Sequence, residues 1–104
     1  MPAVADSTTL IWLAKISKLR LLKDVFSLVY ISSEVFREAV EKGISKGYSD
    51  AVVIKRAIEE GWIIVEDIDW SDLAGYRSLG SGELSSMALA MRKGILLLLS
   101  LIHI

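Results

Sequence analysis

Short apolar runs alternate with helical patterns along the whole chain, and this alternation constrains the fold more than any other feature. Four runs are too short for helices and favour buried strands; they cover residues 3–5, 28–31, 62–65 and 95–99. Between them, apolar residues recur at helical spacing over residues 7–15, 19–25, 33–42, 51–60 and 83–93. Alternation of this kind predicts an α/β fold with a parallel sheet covered by helices on both faces.

Glycines separate the predicted elements. Gly43, Gly61 and Gly94 each follow a helical pattern, at the position where a left-handed residue commonly ends a helix. We expect a loop over residues 44–48 and a turn over residues 80–82. That turn lacks the lysine of a nucleotide-binding phosphate loop, so the sequence does not indicate a P-loop enzyme.

Length and charge narrow the classes of protein further. At 104 residues, the chain is expected to form one domain over residues 1–104. Its net charge of −1 gives no overall field that would attract nucleic acid. Nine of the twelve basic residues nevertheless precede Ala57, which indicates either a local basic patch or a solvated helix face. The apolar fraction of 53% indicates a large core or an apolar surface that a partner covers.

The chain contains no cysteine, which excludes disulfides, thiolate metal sites and cysteine nucleophiles and fits an intracellular protein. No signal-peptide pattern is visible at the N-terminus. The longest apolar run, residues 95–104, is shorter than the roughly 20 residues that span a bilayer. We therefore expect a cytoplasmic protein that does not contact the membrane.

Three acidic residues stand beside predicted junctions of strands and helices. Asp6 ends the first strand, Glu38 lies in the helix after the second, and Glu83 opens the helix before the fourth. In open α/β sheets, ligands bind outside the carboxyl ends of the strands. Carboxylates that meet there repel one another unless a cation is present, and Mg²⁺ binds carboxylate oxygens while keeping waters for a phosphate substrate. With two such ions, in-line attack of water on a phosphodiester becomes feasible.

Each of these acids also has a purely structural interpretation. Asp6 precedes an apolar helix, where Asp is a common N-cap. Glu83 falls in the first turn of its helix, where the helix dipole favours a negative charge. Glu38 lies on the polar side of its predicted helix and could pair with Lys42, four residues on. The spacing of the acids does not decide between these interpretations.

The surroundings of the acids are more specific than their spacing. The chain opens with VADSTTLIWLA at residues 4–14, and DVFSLVYIS at 24–32 is followed by VFREAV at 35–40. Later come LGSGELSSMALA at 79–90 and KGILL at 93–97. In this order the stretches resemble the PIN-domain family, a nuclease-like α/β family that includes the toxins of many toxin–antitoxin pairs. The likeness covers nearly the whole chain.

The resemblance implies a three-layer α/β/α fold with a central, mostly parallel sheet and a ribonuclease site that depends on Mg²⁺ or Mn²⁺. Carried over position by position, Asp6, Glu38 and Glu83 become the metal-binding and catalytic acids. Ser7 or Thr8 would support Asp6 through a hydrogen bond. Single-stranded or structured RNA is the implied substrate, and the implied protein partners are a second copy of the chain and an antitoxin.

The C-terminal stretch departs from the family pattern. Family members normally follow the fourth strand with one or two aspartates, a helix and a fifth strand, whereas this chain reads LLSLIHI over residues 98–104. No carboxylate follows Glu83, so a second cation would be held more loosely. We expect a truncated or frame-shifted C-terminus that leaves an apolar sheet edge exposed. His103, the only histidine, is either a ligand or proton carrier or a polar residue on an apolar tail.

Two functions follow from these observations. The first is a metal-dependent endoribonuclease that uses the three acids. The second is a catalytically degenerate PIN-like module that acts through dimerisation or partner binding, in line with the apolar composition. A receiver-like or flavodoxin-like domain is disfavoured, because the first strand ends without a clear acidic pair and no phosphate-binding loop is present.

Overall fold

A computed structural model describes residues 1–76 and 79–98. Its strands are β1 (Ala3–Ala5), β2 (Val29–Ser32), β3 (Ile63–Glu66) and β4 (Leu96–Leu98). Its helices are α1 (Ser7–Lys15), α2 (Arg20–Phe26), α3 (Ser33–Phe36), α4 (Lys42–Ser45), α5 (Ser49–Glu60) and α6 (Ser81–Lys93), with a π-helical turn at Arg37–Glu41 and a 3₁₀ turn at Ser71–Leu73. The predicted alternation of strands and helices is confirmed.

The four strands of the described residues form one parallel sheet in the order β3-β2-β1-β4. Strand β1 is central and completely buried, because small residues allow close packing on both of its faces. The order reverses at β1, since the chain passes to β2 and β3 on one side and returns to β4 on the other. In sheets of this type such a reversal opens a crevice at the carboxyl ends of the strands.

Helices cover both faces of the sheet, which confirms the three-layer α/β/α architecture. Successive strand residues point to opposite faces, so Ala5 joins the larger core with Leu10 of α1 and Ile54 of α5. Val4 points the other way and packs with Leu89 of α6. The carboxyl end of β1 therefore emerges between a layer that contains α1, α3 and α5 and a layer formed by α6.

The prediction that Gly43 ends a helix is wrong. The helical path continues from Ser33 to Ser45, with the π turn between α3 and α4. Gly43 is buried inside it, and a Cβ at this position would lie 2.6 Å from the Cβ of Ala51 in α5. The glycine is therefore required for close helix packing, and the left-handed residue that follows this helix is Gly47.

The other two predicted helix ends are confirmed. Gly61 and Gly94 have φ angles of 93° and 65° and follow α5 and α6. The predicted turn at residues 80–82 is shorter in the structure, because Gly80 is the N-cap and α6 begins at Ser81. No helix within residues 1–76 and 79–98 has the length and apolar character needed to cross a membrane. The expectations about the C-terminal tail, including His103, fall outside the described residues.

Candidate functional site at the carboxyl end of β1

Asp6 follows β1 directly and lies in the crevice region with only 5% of its surface exposed. Its Oδ1 atom accepts a hydrogen bond of 2.9 Å from the backbone N–H of Thr9, so Asp6 is the N-cap of α1. Its own N–H donates to the carbonyl of Leu98 at the end of β4. The capping interpretation is thus confirmed, and it engages Oδ1 alone.

Glu38 lies in the π-helical turn, where the N–H of Lys42 donates to the carbonyl of Arg37 five residues earlier. π turns inside helices are frequent at functional sites. The carboxylate is partly buried, and its Oε2 accepts a hydrogen bond of 3.2 Å from the Ser7 hydroxyl. Of the predicted supporting residues, Ser7 therefore binds Glu38 and not Asp6.

Gly82, in the first turn of α6, leaves the space that the Glu38 carboxylate occupies. A Cβ at Gly82 would lie 3.1 Å from Cδ of Glu38 and closer still to Oε1. The carboxylate therefore packs directly against the backbone of α6. Sequence reasoning assigned Gly82 to a turn and missed this role, although a glycine beside a candidate acid is a usable signal of close backbone approach.

Glu83 follows Gly82 and is partly buried. Its Oε1 lies 4.0 Å from the position that a Cβ of Gly80 would take, so its carboxylate lies near the N-terminus of its own helix. The helix dipole stabilises a carboxylate there whether or not a cation is bound. Glu83 is the sequence neighbour of Gly82, against which the Glu38 carboxylate packs.

A buried hydroxyl network fixes the first turns of α6 against the end of β2. Ser32 and Ser85 share a hydrogen bond of 2.7 Å between their hydroxyls, and Ser32 also accepts from the N–H of Val35 as the N-cap of α3. Ser85 and Ser86 both donate to the carbonyl of Gly82, at 3.1 and 2.6 Å. The network therefore positions the glycine that receives Glu38. The sequence predicted a cap at Ser32 or Ser33, but it gave no signal for the contact across to α6.

A family model described as a PIN domain matches residues 2–100 of the chain. The protein belongs to the PIN-domain family. No significant match was found among curated proteins or among solved structures. Members of the family are nuclease-like and generally use divalent metal ions.

Among residues 1–76 and 79–98, no lysine or arginine forms an ion pair with any of the three acids of this PIN domain. Within the described part of the chain, the ion pairs join Arg20 to Glu60, Arg37 to Glu34 and Lys93 to Glu66. One interpretation of the sequence paired Glu38 with Lys42, but these two residues form no ion pair. The charges at the end of β1 are therefore not neutralised by basic side chains of the described residues.

The donor chemistry of this PIN domain fits a hard divalent cation. Asp6 and Glu38 provide carboxylate oxygens, and Mg²⁺ is commonly bound through one or two carboxylates together with waters and substrate phosphate. No group of three or more acidic or histidine side chains is close enough to hold one ion in residues 1–76 and 79–98. The structure thus brings Glu38 to Ser7 and Gly82, and it does not assemble a complete three-acid cluster.

The acids at the exits of β2 and β3 are bound within the PIN domain itself. Glu34 accepts a hydrogen bond of 2.8 Å from the Trp70 indole through Oε2, while its Oε1 is buried and has no hydrogen-bond partner among the described residues. Asp67 accepts a hydrogen bond from the Ser33 hydroxyl. Sequence reasoning missed Glu34, because an acid in the first turn of a helix carries no specific signal.

Asp69, in the same exit region, caps a local turn. Its carboxylate accepts a hydrogen bond of 2.9 Å from the backbone N–H of Ser71. This bond, assisted by the Ser71 side chain, lowers the pKa of Asp69 below its ordinary value. The interaction is local, so it accounts for Asp69 without any ligand.

Proposed function

We propose that this PIN domain is a divalent-metal-dependent endoribonuclease in which Asp6, Glu38 and Glu83 are the metal-binding acids. The observation that carries the proposal is the position of the Glu38 carboxylate, which is bound to Ser7 on one side and packs against Gly82 on the other. This contact joins the end of β1, the π turn and the start of α6 around a single point. The family provides the class of chemistry, because PIN domains are nuclease-like.

Each side chain has a defined part in the proposed reaction. The Thr9 N–H orients Asp6 through Oδ1, and the Ser7 hydroxyl orients Glu38. Without a cation, the three carboxylates would repel the phosphates of RNA as well as one another. Bound Mg²⁺ or Mn²⁺ supplies charge stabilisation for the phosphodiester as it is hydrolysed.

The direct test is cleavage of labelled single-stranded RNA by the purified chain with Mg²⁺, with Mn²⁺ and with EDTA. The matched variant is Asp6→Asn, because Asn caps helices about as well as Asp and therefore removes the charge while keeping the fold. We expect cleavage that requires the metal and is lost in the variant. Cleavage that survives both EDTA and Asp6→Asn would contradict the proposal.

A role as the toxin of a toxin–antitoxin pair is the finer form of this proposal. It includes a cytoplasmic location, a homodimer and an antitoxin protein as partner. Support comes from four exposed apolar residues: Trp12 in α1, Ile16 directly after α1, and Leu21 and Val25 in α2. Val25 is 64% exposed. Where exposed apolar side chains form a contiguous patch, they favour contact with another protein.

The same apolar side chains support a second candidate function. In this alternative the site is degenerate, and the PIN domain acts by dimerising or by holding a partner. Sedimentation of the chain at micromolar concentration tests it, together with the cleavage assay. A soluble monomer would count against the alternative, while a dimer that does not cleave RNA under any metal condition would favour it.

A further inference from the structure

An open cleft of about 330 Å³ adjoins the proposed acidic site. Ser7, Thr8 and Glu38 line one part of it, and the remaining wall includes Lys15 of α1, Lys42 and Lys46 of the α4 region, and Tyr48 at the start of α5. A cleft of this size lies in the range of pockets that hold small ligands or single nucleotides. Because it shares Ser7 and Glu38 with the acidic site, a ligand in the cleft would be continuous with a substrate at that site.

The cleft carries more positive than negative charge. Lys15, Lys42 and Lys46 face Glu38 and Asp50 around it, and within the described residues none of the three lysines forms an ion pair. Three lysines around a cleft with two carboxylates leave one positive charge in excess, and a bound phosphate group compensates that excess. The chain as a whole is slightly acidic, so this local excess is not a consequence of its composition.

Tyr48 gives the cleft an aromatic surface. Tyr48 is 51% exposed, and the Nζ atom of Lys15 lies 5.9 Å from the centre of the Tyr48 ring. The ring also borders Gly43, since a Cβ on Gly43 would lie 4.0 Å from Cδ2 of Tyr48. The tight contact of Gly43 with Ala51 fixes the backbone on which both Tyr48 and the neighbouring lysines are placed. Aromatic rings beside lysines are the usual platform for unpaired bases of a single strand.

We propose that this cleft binds the nucleotide next to the scissile phosphate of a single-stranded RNA. Lys42 and Lys46 contact the backbone phosphate, Tyr48 stacks on the base, and Lys15 supports the Tyr48 ring. The proposal rests on the proposed ribonuclease function and names the form of its substrate. A single strand is required, because a base in a duplex does not present its face for stacking on a side chain.

The test is equilibrium binding of a fluorescent single-stranded RNA decamer to the full chain in EDTA, measured by anisotropy over a range of salt concentrations. The double variant Lys42→Gln/Lys46→Gln is compared with Lys55→Gln/Arg56→Gln, which removes the same charge from the exposed face of α5. We expect the first double variant to reduce the slope of the logarithm of the binding constant against the logarithm of salt concentration by about 0.7, the value for one phosphate contact on a single strand. The control double variant should retain the slope of the unmodified chain.

The aromatic contact is tested in the same assay. Tyr48→Leu should weaken binding about fivefold or more, whereas Tyr48→Phe should bind as the unmodified chain does, because the ring is kept. Equal losses in both double variants, equal binding of duplex RNA, or equal competition by a free mononucleotide would overturn the proposal.

Failure of this inference and failure of the proposed function give different results. If binding depends on Lys42, Lys46 and Tyr48 but no metal-dependent cleavage occurs, the RNA-binding role of the cleft is supported and the ribonuclease function is contradicted. If all of the cleft variants keep both metal-dependent cleavage and RNA affinity, the ribonuclease function is supported and the RNA-binding role of the cleft is contradicted.

Discussion

Two groups of acids lie at the carboxyl end of the same sheet, and they differ in whether a basic side chain balances their charge. At the exits of β2 and β3, Glu34 is bound by Trp70 and Arg37, and Glu66 is paired with Lys93 at 3.0 Å. At the exit of β1, the described part of the chain supports Asp6 through a backbone N–H, Glu38 through the Ser7 hydroxyl and Glu83 through a helix N-terminus, with no lysine or arginine in an ion pair.

The difference indicates two roles for similar residues. Carboxylates whose charge is matched by lysine, arginine or an indole N–H contribute to the packing of the loops that they join. We propose that carboxylates held in place without a matching lysine or arginine bind a cation from solution. On this account, variants of the first group change stability, and variants of the second group change metal-dependent activity.

The largest expected effect is on cleavage in Asp6→Asn and Glu38→Gln. Each variant should lower the rate of metal-dependent RNA cleavage about 100-fold or more, because losing several kcal/mol of charge stabilisation corresponds to at least that factor. Glu66→Gln, whose carboxylate in the unmodified chain is paired with Lys93, serves as the control and should cleave at the unmodified rate. Initial rates at saturating Mg²⁺ measure the effect, and equal losses in all three variants would remove the distinction between the groups.

The next effect concerns the contact between Glu38 and α6. Gly82→Ala places a methyl group where the Glu38 carboxylate lies, so the side chain must move. We expect about tenfold slower cleavage, the size of change that follows when a supporting contact of a metal ligand is lost. Gly80→Ala is the matched control, since among the described residues a methyl there would meet Glu83 alone, at the ordinary distance of 4.0 Å. The interpretation fails if both variants cleave at the same rate.

A loss of stability without a loss of activity is expected in the paired group. Trp70→Phe removes the indole donor to Glu34, whose Oε1 has no partner within residues 1–76 and 79–98. We expect the free energy of unfolding to fall by about 1.5–3 kcal/mol, as for a hydrogen bond to a charged group. Urea denaturation measures this change, and cleavage per folded molecule should stay the same. A change in the metal concentration needed for cleavage would show that the two groups are coupled.

The smallest effect is expected in the hydroxyl network that joins the two regions. Ser85→Ala removes two buried hydrogen bonds, one to the carbonyl of Gly82 and one to the hydroxyl of Ser32. The expected loss is about 1 kcal/mol of unfolding free energy. Ser45→Ala, whose hydroxyl bond is exposed, is the control and should change stability by less. Denaturation curves that coincide for the two variants would show that the network does not stabilise α6.

The order of elements and the parallel sheet could be predicted because they depend on local patterns. The β-branched runs and helical spacing identify strands and helices, and Gly61 and Gly94 mark helix ends through their need for positive φ. Gly43 misled this reasoning, because glycine also permits close packing, and only the contact with Ala51 separates the two uses.

The contacts of the candidate site could not be predicted from the sequence. The resemblance to PIN domains proposes Asp6, Glu38 and Glu83 as site acids, but helical spacing does not predict the contacts of Glu38 with Ser7 and Gly82. No residue type in Arg37–Glu41 signals the π turn in which Glu38 lies. Lys15 lies in α1, whereas Lys42, Lys46 and Tyr48 follow much later in the chain, so their meeting around one cleft depends on the tertiary fold.

The central claim is that the acids at the end of β1 bind a divalent cation, whereas those at the exits of β2 and β3 do not. The most direct measurement is anomalous diffraction from crystals of the chain soaked in Mn²⁺. The account predicts a peak in contact with Asp6 and with Glu38 or Glu83, and its absence in crystals of Asp6→Asn. A peak only at Glu34, Asp67 or Asp69, or no peak at the end of β1 in saturating Mn²⁺, would contradict it.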